Sequence, residues 1–189
     1  HNFLTIKVKN SYVRLKTKNI NIHNVLASLT LFQELNLDLK ELTRSFKKIE
    51  PTEGRGKIHN IYRYRKKFKL LDESYNANPL SVKTAIKNFN SIKKEKFKKY
   101  LILGDMLELG KKSKILHEEL SKVINNSDID KVFVKGDKTL DTFKKIHKHK
   151  RGNVFQQDED IDFTLNYIIS NNDYLMIKGS NATGLNNFC

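Results

Sequence analysis

The sequence predicts an α/β fold in which a doubly wound, mostly parallel sheet follows a smaller amino-terminal unit. Beyond residue 50, short apolar segments alternate with segments whose apolar residues recur at helical spacing, which is the pattern of β-α-β units. Two of these segments, YLIL and YLMI, are almost continuously apolar. Such runs are expected of strands that are buried on both faces of a parallel sheet.

The first 50 residues predict a hairpin followed by two helices. Residues 3–8 and 12–16 are rich in β-branched and aromatic residues, and a turn-prone Lys-Asn-Ser segment separates them. Apolar residues then recur at helical spacing over residues 25–32. Asp38 with Glu41 three residues later is a capping-box pattern, so a second helix is predicted to begin there.

The rest of the chain predicts six strands and four helices. Pro51 ends the helical unit and a loop with two glycines follows, so we place domains at 1–49 and 50–189. The predicted strands are residues 58–64, 68–72, 100–103, 131–134, 153–156 and 174–177. The helices predicted between them are residues 79–92, 113–125, 139–147 and 161–170.

Small and polar residues follow four of the predicted strands. They are Asp72, Gly104-Asp105, Lys135-Gly136-Asp137 and Lys178-Gly179-Ser180. The carboxyl ends of parallel strands meet at one edge, where helix amides point and ligands bind, so we predict a polar cleft there. The alternative is that these residues only form turns and caps, in which glycine and aspartate are common.

Two of these strand ends continue into long polar segments, DESYNANP and LGDMLELG. In the first, Asn78 and Pro79 fit the N-cap and first residue of a helix. Capping does not explain Asp72, Tyr75 or Asn76, and neither segment needs so many polar groups merely to turn. This excess favours a binding site over simple turns.

Composition argues against several classes of function. The net charge of +15 suits an anionic partner. However, the lysines lack interleaved aromatic residues and are interpreted as solvent-exposed helix faces, so we expect no nucleic-acid partner. Examples are Lys93, Lys94, Lys96, Lys98 and Lys99. The single cysteine, Cys189, permits no internal disulfide, and the scattered histidines lack zinc-ligand spacing, so no metal site is predicted.

No run of 18 apolar residues occurs, and the first ten residues lack the pattern of a signal peptide. We therefore expect a soluble, cytoplasmic protein with no membrane partner.

The two long segments make the chain similar to the Mur ligase family. The resemblance is supported by His23-Asn24, Pro51-x-x-Gly54-Arg55, His117 and Lys178-Gly179-Ser180, and it spans essentially the whole chain. It implies a Rossmann-like carboxyl-terminal domain over 50–189, preceded at 1–49 by the tail of a central ATPase domain. The family continues with a helix after Lys-Gly-Ser, so an exposed apolar face is expected where that helix would pack.

Within the family, the segments resemble enzymes that join D-alanyl-D-alanine to a UDP-N-acetylmuramoyl-tripeptide in peptidoglycan precursor synthesis. The resemblance implies the cofactors ATP and Mg²⁺, an acyl phosphate on the tripeptide, and its attack by the dipeptide amine. No G-x-x-x-x-G-K-[ST] loop occurs in the chain. The phosphate loop and the carbamylated lysine that holds magnesium are therefore expected upstream, no catalytic residue is assigned, and the chain alone is expected to be an inactive monomer.

The resemblance also implies roles for individual residues. Those expected to bind the nucleotide are His23, Asn24, Arg55, Asp72 and Tyr75. Those expected to bind the peptide substrates are Asn76, Asn78, Asp105, Glu108, Lys178, Gly179 and Ser180. His117 is interpreted either as a further family residue or as a helix-surface residue that pairs locally.

Three other functions stay open. One is a Mur-type ligase that adds diaminopimelate or glutamate, against which YNANP and LGDMLELG argue. A second is a Rossmann oxidoreductase, which is disfavoured because no G-x-G-x-x-G follows a strand. The third is a non-catalytic module that binds a nucleotide or peptide, since the phosphate loop does not occur in the chain.

Overall fold

The computed structural model describes residues 3–9, 11–16, 22–46, 52–93 and 95–189. The chain divides into two compact units, His1–Pro51 and Thr52–Cys189. Among the described residues, no helix is both long enough and apolar enough to span a bilayer.

The first unit contains the predicted hairpin and two helices. Its elements are β1 (Phe3–Val8), β2 (Ser11–Lys16), α1 (Ile22–Glu34) and α2 (Leu39–Phe46). The two strands pair antiparallel. A small core forms where Val13 and Leu15 of the hairpin pack with apolar residues of both helices, including Val25 and Leu29. The helical spacing read from the sequence therefore marks the buried side of α1.

The second unit is built on a six-stranded sheet among the described residues. Its strands are β3 (Lys57–Arg63), β4 (Lys66–Glu73), β5 (Lys99–Gly104), β6 (Lys131–Lys135), β7 (Arg151–Phe155) and β8 (Tyr174–Lys178). They lie in the order β3-β4-β8-β5-β6-β7. All neighbours are parallel except β3 and β4, which confirms the predicted mostly parallel sheet.

The antiparallel pairing of β3 with β4 follows from their short connection. Only Tyr64 and Arg65 lie between the two strands, and both have a positive φ of 57°. Two consecutive residues with positive φ form the hairpin turn whose twist matches that of the flanking strands. A crossover connection to a parallel neighbour needs many more residues.

Helices cover both faces of the sheet, as the doubly wound prediction requires. They are α3 (Pro79–Ser91), α4 (Ser113–Asn125), α5 (Thr139–Lys145) and α6 (Asp158–Ile168). Leu101 and Leu103 of β5 join a cluster with residues of α3 and α4, whereas Tyr100 and Ile102 join a second cluster with α6. Successive side chains of a strand point to opposite faces, so β5 is buried from both sides.

One side of α6 is apolar and exposed to solvent. Phe163 and Tyr167 are 81% and 87% exposed. They line a groove of about 1000 Å³ together with Tyr100 and Phe133 of the sheet.

The interpretation of Lys93 to Lys99 as an exposed helix face is wrong in two respects. α3 ends at Ser91, so these lysines follow the helix rather than belong to it. Lys93, Lys96 and Lys98 are exposed and Lys94 lies outside the described residues, but Lys99 begins β5 and is fully buried.

The carbonyl groups at the end of α3 explain why the side chain of Lys99 is buried. Its ammonium donates to the carbonyl oxygens of Phe89 (3.0 Å), Asn90 and Ile92, and it pairs with Asp128 at 2.8 Å. The last carbonyl groups of a helix have no partner within the helix, so a cation beside them satisfies the end of α3.

Candidate functional site

The carboxyl ends of β4, β8, β5 and β6 lie side by side at one edge of the sheet, as predicted, because these strands are parallel neighbours. The loops that follow them are joined by hydrogen bonds. Ser180 donates its backbone N–H to the carbonyl of Asp105 (3.1 Å), and its hydroxyl accepts from the backbone N–H of Leu107 (3.2 Å). The residues after β8 therefore hold the segment after β5.

Asp72 connects the two sides of the β3–β4 hairpin at this edge. Its buried carboxylate accepts hydrogen bonds from the backbone N–H of Gly54 (2.7 Å), the backbone N–H of Ser74 (3.0 Å) and the Ser74 hydroxyl (2.6 Å). Burial alone would raise the pKa of Asp72, but the hydrogen bonds from Ser74 and Gly54 outweigh it and leave that pKa below its ordinary value. Asp72 therefore stabilises the contact between the loop before β3 and the segment after β4, and it is also a predicted ligand contact.

Gly54 brings the loop before β3 against the segment after β4. It has a φ of +72°, and a Cβ at this position would lie 2.7 Å from Cβ and 2.9 Å from the backbone nitrogen of Tyr75. Its carbonyl accepts from the Tyr75 N–H at 3.1 Å. This close approach places the Arg55 guanidinium 4.2 Å from the centre of the Tyr75 ring, and both residues are exposed.

Lys178 is buried and directed inward. It donates to the carbonyl oxygens of Glu73 (3.1 Å) and Asn76, and its ammonium lies 3.8 Å from the Glu73 carboxylate. Burial lowers the pKa of Lys178 and raises the pKa of Glu73, while the attraction between the two opposes both shifts. These contacts hold the segment after β4 against the end of β8. The partner Glu73 was not among the residues predicted from the sequence.

The two asparagines of this segment are exposed, but their side-chain oxygens make local hydrogen bonds. Asn78 accepts from the backbone N–H of Ser81 (2.8 Å) and the Ser81 hydroxyl accepts from the Asn78 N–H (3.1 Å), so the predicted N-cap of α3 is confirmed. Asn76 accepts from the N–H of Ala77 at 2.7 Å. Local structure therefore accounts for more of DESYNANP than the sequence suggested.

Asp105 plays a similar structural part after β5. Its carboxylate accepts from the backbone N–H of Thr139 (2.8 Å), at the start of α5. Gly136 leaves room for it, since a Cβ there would lie 2.5 Å from the carboxyl group. Glu108 differs from Asp105 because it is exposed, on a residue with a φ of +61°.

His117 is not a helix-surface residue. It is fully buried in α4, where Nε2 accepts from the backbone N–H of Met106 (3.1 Å) and Nδ1 donates to the carbonyl of Ser113 (2.8 Å). These two partners fix the neutral tautomer with the proton on Nδ1. The surface interpretation failed because the partner amide comes from the distant loop after β5, so helical periodicity could not reveal it.

The remaining predicted residues fall in different places. Gly179 is buried at the end of β8, and its Cα approaches that of Gly104. His23 and Asn24 are exposed on α1 of the first unit. The second unit thus assembles two groups of predicted residues, one around Arg55 and Tyr75 and one around Asp105 and Ser180.

One further cluster has the chemistry of metal ligands. Single ligand atoms of Glu53, His59 and Asp72 all lie within 4.8 Å of one another. The sequence pattern does not reveal this cluster, because its three residues share no regular spacing and only the pairing of β3 with β4 brings them together.

Comparison with known proteins identifies the family. The family described as "Mur ligase, glutamate ligase domain" matches residues 59–181. The chain belongs to the Mur ligase family. The match covers five strands and all four helices of the second unit completely, together with most of β3.

Relatives of this Mur ligase chain carry a more specific name. The UDP-N-acetylmuramoyl-tripeptide–D-alanyl-D-alanine ligase of Rickettsia prowazekii is 28% identical over 181 residues, which cover 94% of this chain and 39% of that protein. The ligase of the same name from Bacillus subtilis is 43% identical over 67 residues, 35% of this chain and 14% of that protein. The chain therefore spans about two fifths of the length of the first of these relatives.

Solved structures agree on the fold. A MurF ligase from Thermotoga maritima in complex with ADP has a TM-score of 0.76 at 24% identity, covering 97% of this chain and 41% of that one. A MurF from Acinetobacter baumannii has the same TM-score at 20% identity and covers 98% of this chain and 41% of that one. At these identities the likeness establishes the fold.

Proposed function

We propose that this chain forms the carboxyl-terminal part of an ATP-dependent ligase that adds D-alanyl-D-alanine to a UDP-N-acetylmuramoyl-tripeptide. The names of the relatives and the segments DESYNANP and LGDMLELG support this function within the family. We also propose that the ligase is a cytoplasmic monomer and that its phosphate loop and Mg²⁺ ligands lie outside this chain. Alone, the chain does not catalyse ligation.

The main structural support for nucleotide binding is the exposed pair of Arg55 and Tyr75. A guanidinium offers a fork of donors to phosphate oxygens, and an aromatic ring offers a face for a base. The two groups lie together at 4.2 Å because Gly54 permits the close approach and Asp72 fastens it. These residues fit a nucleotide, and a relative of the same fold was crystallised with ADP.

In this proposal Arg55 and Tyr75 contact ATP directly and Asp72 holds them in position. The phosphoryl group that activates the tripeptide carboxylate would come from ATP. His23 and Asn24, which are exposed on α1 of the first unit, stay predicted nucleotide contacts of that unit. An ordered cation beside developing phosphate charge lowers the barrier because its position is set before the reaction.

The residues proposed to bind the peptide substrates differ in their exposure to solvent. Asn76, Asn78 and Glu108 are exposed, so they can contact the dipeptide, and the Glu108 carboxylate suits its amine. The buried members of the set act by holding the loops from which these side chains project. They are Asp105, Lys178, Gly179 and Ser180.

The test is ATP-dependent joining of D-alanyl-D-alanine to the tripeptide by the longer ligase that contains this chain. Arg55→Ala should raise the KM for ATP about tenfold or more, in line with the loss of one charge-assisted hydrogen bond worth ~1.5–3 kcal/mol. Arg65→Ala, an exposed arginine at the β3–β4 turn, is the matched control and should leave that KM unchanged. An Arg55→Ala enzyme with an unchanged KM for ATP would remove the support that this pair gives.

A further inference from the structure

The hairpin that carries Arg55 also holds a nitrogen and two carboxylates in one place. Lys57 of β3 pairs with Asp72 of β4, so His59, two residues further along β3, lies on the same face as Asp72 and diagonal to it. Glu53 precedes the strand. One ligand atom from each of Glu53, His59 and Asp72 lies within 4.8 Å of the other two.

The imidazole is the least satisfied member of this group. Its Nε2 is buried and makes no hydrogen bond among the described residues, although it lies only 3.1 Å from a carboxylate oxygen of Glu53. A buried polar atom without a hydrogen bond costs free energy, so a partner for it is expected. A cation between the nitrogen and the two carboxylates would satisfy all three groups.

The charges favour a cation as that partner. Carboxyl groups with ordinary pKa values are ionised at neutral pH, so Glu53 and Asp72 both offer negative charge. The hydrogen bonds to Asp72 leave lone pairs on its two oxygens, because each carboxylate oxygen accepts more than one bond.

We propose that Glu53, His59 and Asp72 form a binding site for a divalent transition-metal ion, for which Zn²⁺ is the best match. Zinc is commonly held by imidazole nitrogen and carboxylate oxygen in four-coordinate sites. Mg²⁺ prefers oxygen ligands and octahedral geometry, so a site with a histidine ligand discriminates against it.

The consequence is local. A metal ion at this site joins the loop that carries Arg55 to the strand that ends at Asp72, so it rigidifies the exposed pair of Arg55 and Tyr75. The site rests on the geometry of the hairpin alone. It therefore stands or fails independently of the proposed ligase function.

The test is isothermal titration calorimetry of the 189-residue chain with Zn²⁺ and, separately, Mg²⁺. A histidine pair and a thiol that could also bind Zn²⁺ are removed first. The His147 and His149 rings lie 5.6 Å apart, and the thiol of Cys189 lies near Ser74 (3.7 Å from Sγ to Oγ), so the reference protein carries His147→Ala, His149→Ala and Cys189→Ser. We expect this protein to bind one equivalent of Zn²⁺ and to give no comparable signal with Mg²⁺.

Two variants in that background locate the site. His59→Ala and Glu53→Gln should each weaken Zn²⁺ binding by at least about 10- to 100-fold, the loss that even changes outside the ligand shell cause. Glu53 is exposed, so Glu53→Gln leaves the fold intact, and Glu159→Gln on α6 is its matched control with unchanged affinity. Zn²⁺ should also raise the Tm of the reference protein but not that of Glu53→Gln.

Three results would overturn the proposal. They are no Zn²⁺ binding by the reference protein, unchanged affinity in both His59→Ala and Glu53→Gln, and equal binding of Mg²⁺.

Discussion

Replacing Gly54 with alanine tests whether a backbone contact builds the exposed pair of Arg55 and Tyr75. Gly54 has a φ of +72°, which costs an L residue about 1–2 kcal/mol. The added Cβ would also lie 2.7 Å from Cβ and 2.9 Å from the backbone nitrogen of Tyr75. Neither neighbour is the end of a flexible side chain, so the backbone must shift.

The two costs can be added because they have separate causes. Overpacking of this kind costs about 1–3 kcal/mol, so Gly54→Ala should lower the free energy of unfolding of the second unit by about 2–5 kcal/mol. With an m-value of about 2 kcal/mol/M, this corresponds to a fall of about 1–2.5 M in the urea midpoint. Since the shift separates Tyr75 from Gly54, the Arg55 contact should also be lost.

Gly110→Ala provides the matched control. Gly110 also has a positive φ, of +54°, but nothing lies within 4 Å of the position of its Cβ. Gly110→Ala should therefore lower the free energy of unfolding only by the cost of the positive φ, about 1–2 kcal/mol. Urea unfolding followed by circular dichroism measures both variants. Equal shifts in the two urea midpoints would refute the reasoning, because the close approach of Gly54 to Tyr75 would then carry no cost.

Three further predictions concern buried polar groups. Lys99→Met should destabilise the chain by about 2–4 kcal/mol in urea unfolding, because the carbonyls at the end of α3 and Asp128 lose their cation, whereas exposed Lys98→Met should change little. His117→Leu should cost about 1–3 kcal/mol and speed hydrogen exchange of the Met106 amide measured by NMR; unchanged exchange would contradict the contact. Because the pKa of Asp72 is lower in the folded state, its ionised form stabilises the fold above pH ~4, and this contribution is lost as the pH falls through the folded value. Acid unfolding of Asp72→Asn should therefore lack that part of the pH dependence, and a profile parallel to that of the unchanged chain would argue against it.

The layout of the sheet could be predicted because it depends on local pattern. The apolar runs of β5 and β8 are central and buried, as two-sided burial requires. The position of polar residues after the strands also followed from the sequence, since parallel strands end at one edge. The predicted helix start at Pro79 was correct because Asn78 and Pro79 are local signals for a helix start.

Partners that come from distant segments could not be predicted. His117 receives its hydrogen bond from Met106, and Lys99 pairs with Asp128, which lies 29 residues away. Neither contact leaves a periodic signal, so both side chains looked like solvent-exposed ones. The same limit hid the cluster that includes Glu53 and His59, because only the pairing of β3 with β4 creates it.

The polar residues at this edge of the sheet therefore fall into two groups, one buried and one exposed, with different roles. Asp105 and Lys178 are buried, and their charges are held by backbone amides or carbonyls. A buried charge with fixed partners cannot turn to a nucleotide or peptide without breaking bonds worth ~1.5–3 kcal/mol each. Exposed side chains such as Arg55 and Glu108 have no such restriction. Polar residues at the strand ends thus predicted the edge correctly, but burial separates the side chains that can contact a nucleotide or peptide from those that hold the loops in place.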